Sequence, residues 1–219
     1  GTGAALLPRA AHALPERALA FPRDHGSHPG LRTEWWYITG HARAEGRLWG
    51  FQVTFFRSRV DGTQGLQSQF AAKQLVFAHA ALADVQGQRL HHDQRIARAG
   101  FGVADAAEGD TAVHLRDWHL VRTALEGAPG GSRYTTQVQG GDFALDLRFE
   151  STQPVLLQGR QGLSRKGPDA AQASYYYSQP QLAVAGTITQ AGRRRAVEPG
   201  SGRAWMDHEW SEALMHPEA

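Results

Sequence analysis

The chain has no cysteine. That excludes disulfides and thiolate metal sites and leaves the compartment open. No apolar run approaches the ~20 residues a membrane-spanning helix needs. Charge of neither sign dominates, since the formal net charge is +2 over 219 residues. A basic footprint for nucleic acid is therefore missing. The one basic cluster, Arg193-Arg194-Arg195, follows Gly192 and is expected at a solvated hairpin tip. No Gly-x-Ser-x-Gly elbow and no phosphate loop occur, and Ser164 lacks an elbow signature. His208-Glu209 is not followed by the second histidine of a zincin helix. Helical periodicity is almost absent after residue 20.

What recurs instead is alternation of apolar and polar residues, bounded by turn residues, in a chain with 25 glycines. Strands are predicted at 35–44, 48–59, 73–85, 89–97, 111–123, 133–139, 142–150, 155–158, 181–190 and 203–210. Many strands with short connections predict an all-β antiparallel meander. Its edges must close or be covered, so a barrel or half-barrel is the economical solution. Residues 1–20 read as a leader, poorly ordered or a short helix. Residues 21–210 read as the barrel domain, and 211–219 as a linker toward something further. The polar, Gly-rich stretch 158–169 is either a connector or a binding loop at the barrel mouth.

Two aromatic clusters stand out: Glu34-Trp35-Trp36-Tyr37 and Trp205-Met206-Asp207-His208-Glu209-Trp210. Strand alternation puts Trp35, Tyr37, Thr39 and His41 on one side, with Glu34, Trp36 and Ile38 on the other. In the second cluster Trp205, Asp207 and Glu209 share a face, and Met206, His208 and Trp210 the opposite one. Trp35, Trp36, Tyr37, Tyr176, Trp205 and Trp210 are candidates to line an apolar ligand pocket; core packing accounts for them equally well singly. Glu34 either pairs with Arg32 or Arg57 at a strand end, or sits in a pocket where desolvation raises its pKa and makes it an acid. Asp207 and Glu209 repel, so one of them tends to hold its proton beside indole rings and can protonate an alkene. Asp24, His25 and His28 are expected to shape a turn, and His91-His92-Asp93 to lie solvated beside a hairpin, so no metal site is assigned.

Five segments together resemble a known family: 21–29, 32–41, 161–167, 174–180 and 204–210. The family is that of the lipocalin-like proteins related to hydroxyneurosporene synthase (carotenoid 1,2-hydratase), with many bacterial members described as secreted hydrolases. The resemblance implies a calycin-type barrel matching an N-terminal half, and a second lipocalin-like domain as partner. It implies an apolar, isoprenoid- or lipid-like small molecule as ligand and hydration or cyclisation without a cofactor. The candidate catalytic residues are then Asp207, Glu209, His208 and Glu34. A non-catalytic carrier of a hydrophobic ligand is the alternative, and ester or amide hydrolysis a third. A periplasmic or secreted location, with a signal peptide removed, is expected; peripheral association with a membrane stays open and nucleic acid is not a partner.

Overall fold

The computed structural model describes residues 13–62, 65 and 73–212. A 3-10 turn at Arg23–His25 precedes fourteen strands. The first four are β1 (Thr33–Ala44), β2 (Arg47–Arg59), β3 (Gln74–Asp84) and β4 (Arg89–Arg98). Then come β5 (Ala104–Ala106), β6 (Ala112–Leu115), β7 (Trp118–Ala124), β8 (Ser132–Gln139) and β9 (Phe143–Glu150). The last are β10 (Leu156–Leu157), β11 (Leu163–Arg165), β12 (Ala173–Gln190), β13 (Arg193–Ala196) and β14 (Arg203–Ser211).

All pairings are antiparallel, in the order β4-β3-β2-β1-β14-β12-β9-β8-β7-β6-β5, with β10, β11 and β13 attached to β12. The sheet rolls until its two ends meet through side chains. The Arg95 guanidinium of β4 lies 4.9 Å from the centre of the Trp118 ring of β7, and Ala97, Ala99 and Ala106 pack on the shared core. The result is the nearly closed all-β barrel that alternation predicted.

Alternation also explains which way each strand faces. Trp36, Ile38, Trp49, Phe51, Phe55, Leu82, Leu115, Tyr134, Leu147, Phe149, Leu182 and Met206 point inward and are buried in one contiguous cluster. Among the described residues, side chains from staves all round the sheet thus meet in one packed cluster. Interiors reach stability through such close packing, and an empty apolar lumen would forfeit it.

Two element expectations need correction. Residues 111–123 form a hairpin, β6 and β7, turning at Arg116 with φ 54°; a non-glycine residue in the left-handed region gives no glycine signal to the eye. The predicted strand at 181–190 begins eight residues earlier, at Ala173. Pro180, which reads as a break, lies where the pairing with β14 shifts register between Gln179 and Leu182, and Gln181 takes φ 53°. Bulges are where a sheet tolerates proline. The arginine cluster follows the hairpin turn at 191–192 as expected, with Arg193 and Arg194 exposed; it forms β13, and Arg193 and Arg195 pair with Glu45. Residues 13–20 contain no helix; Leu14 and Leu19 pack against Tyr175, Tyr177 and Trp210 at one end of the barrel. The calls on residues 1–12 and 213–219 lie outside the described residues.

Candidate functional site: a buried carboxylate cluster and an outer aromatic face

Segment 20–31 crosses the barrel end beside β1, β12 and β14. Gly26 permits the crossing, since a Cβ there would stand 2.4 Å from the Gly109 backbone nitrogen. Ser27 N–H donates to the Ala107 carbonyl at 2.8 Å, and Asp24 N–H to the Ala20 carbonyl at 2.8 Å. These bonds hold Asp24, His25 and His28 against the inward residues of β1 and β14.

Glu34 is the centre of what results. Its Oε1 accepts from the His28 backbone N–H at 2.6 Å, Arg57 Nε at 3.2 Å and Ser27 Oγ at 3.3 Å. Its Oε2 accepts from His28 Nδ1 at 2.7 Å and His208 Nε2 at 2.6 Å. His28 Nε2 reaches Asp24 Oδ1 at 2.7 Å, and Asp24 in turn accepts from Arg17 at 3.0 Å and the Ala20 N–H at 2.7 Å. With a carboxylate at each ring nitrogen, His28 must carry both protons. His208 Nδ1 meets the Tyr177 hydroxyl at 2.9 Å, which also meets His25 Nδ1 at 2.8 Å. Rings sandwich the cluster: Trp210 stacks on His28 at 3.9 Å and 4°, and Trp36 on His208 at 4.7 Å.

The titration directions follow from these contacts. Burial alone would raise Glu34, but hydrogen bonds from His208 and His28 outweigh it and hold the carboxylate well below its ordinary range. Asp24 behaves alike, with His28, Arg17 and the Ala20 N–H overcoming its burial. Burial lowers His28, yet its two carboxylates reverse the sign and raise it. For His208 burial wins, and it falls to about 4. Glu34 is thus a locked anion paired with Arg57, and the expectation that its pKa rises to make it an acid is corrected.

Asp207 and Glu209 face the other way, as alternation predicted, on the outer side of β14. They do not meet Glu34, His208, Trp36 or Trp210. Asp207 accepts from Ser178 Oγ and Trp205 Nε1, both at 2.6 Å. Glu209 accepts from Ser174 Oγ at 2.5 Å and pairs with Lys166 at 3.1 Å. Lys166 comes from the Gly-rich 158–169 loop, and its ammonium also lies 4.7 Å from the Tyr176 ring centre. Burial raises Glu209, and the pull of Ser174 and Lys166 does not cancel it.

Register sets Glu209 within an aromatic row. It pairs with Tyr176 on one side and Trp35 on the other, and Trp35 continues to Phe56 and Phe77. One row along, Asp207 pairs with Tyr37. The outside of β8 and β9 presents Arg133, Gln137, Asp146 and Arg148 instead. One half of the barrel exterior is therefore ordinary solvated sheet, and the other is aromatic with two acids.

Of the ten residues predicted to matter, Glu34, His208, Trp36 and Trp210 converge inside. Asp207, Glu209, Trp35, Tyr37, Tyr176 and Trp205 converge outside. Sequence reasoning named Arg57 as a partner for Glu34, which the structure bears out, but missed Tyr177 and the placement of His28. The adjacent Asp24-His25 and His28, with no polar role but turn formation assigned, were the available signal. Among the described residues, His28, Glu34 and His208 also offer ligand atoms within 4.8 Å of one another, which a metal ion could use.

A rolled all-β sheet with a buried ionic cluster at one end defines a lipocalin-like protein. The AttH-like family model matches residues 12–219, and the chain belongs to that family. A candidate AttH from Nitrosomonas europaea, solved at 2.00 Å, is 45% identical with a TM-score of 0.79. The match covers 94% of this chain and 60% of that one. Kievitone hydratase from Nectria haematococca shares the fold at 11% identity and a TM-score of 0.63, over 91% of this chain and 54% of that one. The chain thus spans little more than half the length of either structure. No curated protein matches it.

Proposed function

We propose that the chain forms the acid-bearing part of a hydratase acting on an apolar, isoprenoid- or lipid-like alkene laid across the outer aromatic face. The observation that carries this is Glu209: a carboxyl raised by burial, set between Trp35 and Tyr176. Glu34, the other buried acid, is locked as an anion. In the reaction, Glu209 gives its proton to one alkene carbon. Water then bonds to the cationic carbon and returns a proton to the carboxylate, so the catalyst is regenerated. Indole and phenol faces steady the passing cation, and Asp207, fixed by Ser178 and Trp205, supplies a second negative charge. A second lipocalin-like domain would roof this face in the full-length protein. The likeness in fold to kievitone hydratase supports the reaction class, and the family resemblance supports a periplasmic or secreted location.

The test is Glu209→Gln and Asp207→Asn in the full-length protein, assayed for hydration of lycopene-type, shorter polyprenyl and kievitone substrates. Glu209→Gln is expected to lose about 100-fold or more in turnover, the range of general acid catalysis. Undiminished turnover in both variants would overturn the mechanism. A carrier would instead show a retained ligand by native mass spectrometry and no turnover.

A further inference from the structure

The buried cluster is larger than the ionic lock that one strand and one crossing segment need, and its geometry has a second use. We propose that His28 Nδ1, His208 Nε2 and Glu34 Oε2 form a site for one divalent transition-metal ion, zinc by the chemistry of the donors. Two imidazoles and one carboxylate are a donor set that zinc takes in three-ligand sites with an open position.

Three observations support it. Both histidines aim a nitrogen at the same carboxylate oxygen, at 2.7 and 2.6 Å. Each histidine has its other nitrogen held by a buried partner, Asp24 at 2.7 Å and the Tyr177 hydroxyl at 2.9 Å. Such outer partners are what orient metal-ligating histidines. Glu34 divides its labour: Oε1 is engaged by Arg57, Ser27 and the His28 backbone, leaving Oε2 for the shared point.

At metal–ligand distances of about 2.0–2.1 Å, tetrahedral ligand atoms stand about 3.3 Å apart. From Oε2 each imidazole nitrogen must therefore retreat by about 0.6 Å, while the two nitrogens, now within 4.8 Å of each other, close toward the same spacing; turning the carboxylate and the two rings about their soft terminal torsions supplies both movements. The present arrangement is the protonated alternative. Metal binding releases one proton from the His28 imidazolium and moves the proton of neutral His208 from Nε2 to Nδ1, where the Tyr177 oxygen accepts it.

The experiment strips the whole chain with a chelator and titrates it with Zn²⁺ and with Co²⁺. The expected result is one equivalent bound, the visible bands of low-coordinate Co²⁺ and a raised Tm. His28→Asn and His208→Gln should each abolish the bands. His92→Ala, at the exposed His79–His92 pair, should leave them unchanged. Failure of the intact protein to take up stoichiometric Co²⁺ or Zn²⁺ would overturn the site without recourse to variants that unfold. Loss of binding in His92→Ala would overturn it equally. Neither outcome bears on Glu209, so hydration can fail or succeed independently.

Discussion

Glu34→Gln is the sharpest probe of the barrel end. The side chain keeps its size and loses its charge. Five donors converge on the native carboxylate: the His28 N–H, His28 Nδ1, His208 Nε2, Arg57 Nε and Ser27 Oγ. An amide places an N–H₂ where one carboxylate oxygen was. At the Oε2 position it faces two imidazole donors, and at the Oε1 position it faces the backbone N–H and the guanidinium. Both flips oppose donor to donor, and Arg57 loses its counter-charge in a site that excludes water. Removing one partner of a buried ion pair costs about 3–5 kcal/mol. For a domain of this size that is a fall in Tm of roughly 6–20 °C.

The pH dependence gives the experiment a second dimension. His28 is raised in the folded state, so its stabilisation is complete below about pH 6.5, the unfolded value, and is lost as pH climbs through the folded value. His208 is lowered to about 4 and His25 to about 2, both through burial. Their contribution is present above about pH 6.5 and is lost as pH falls toward those values. Wild-type stability should therefore peak near pH 6.5 and decline on both sides. Glu34→Gln should flatten the alkaline side, because His28 keeps only Asp24. Thermal unfolding by near-ultraviolet circular dichroism, which senses the Trp210–His28 and Trp36–His208 stacks, reads both effects. A variant melting within about 2 °C of wild type at pH 6.5 would refute the reasoning, since that is under 1 kcal/mol.

Lys166→Met removes a cation that draws Glu209 down, so the Glu209 midpoint should move further up in a carbon-detected NMR titration; an unchanged or lowered midpoint would show that Lys166 does not act on it. Gly186→Ala tests the bend in β12. Gly186 has φ +121°, and a Cβ would stand 2.1 Å from the Asp146 carbonyl oxygen. Destabilisation of roughly 2 kcal/mol or more is expected from strain and backbone displacement, measured by urea unfolding, and wild-type stability would mean that the β12–β9 register is wrong.

Alternation alone was enough to sort nine of the ten candidate residues onto two faces, because a strand offers only two; Tyr176 lay outside the predicted strands. The inward run of Glu34, Trp36 and Ile38 and the outward run of Trp205, Asp207 and Glu209 both follow from that rule. Arg57 as a partner for Glu34 was legible too, since the two lie on adjacent hairpin strands. The rest depended on distant sequence. His28 meets Glu34 only because segment 20–31 folds back over the barrel end, and Tyr177 meets His208 only because β12 pairs with β14. The sign of Glu34's shift turned on those two histidines, so reasoning from desolvation alone reversed it. Arg116 and Pro180 show the local limit: a turn without glycine and a proline inside a long strand both contradict the usual punctuation.

The solid interior has a consequence for how such a barrel can diversify. A hollow relative changes its cargo by resizing the side chains around its lumen, and every such change disturbs packing. Here the staves are wedged together from within, so what the sheet shows to its surroundings and what holds it together come from different residues of the same strands. Trp35, Tyr37, Tyr176 and Trp205 can change while Trp36, Ile38, Tyr177 and Met206, their immediate neighbours in sequence, keep the keg intact.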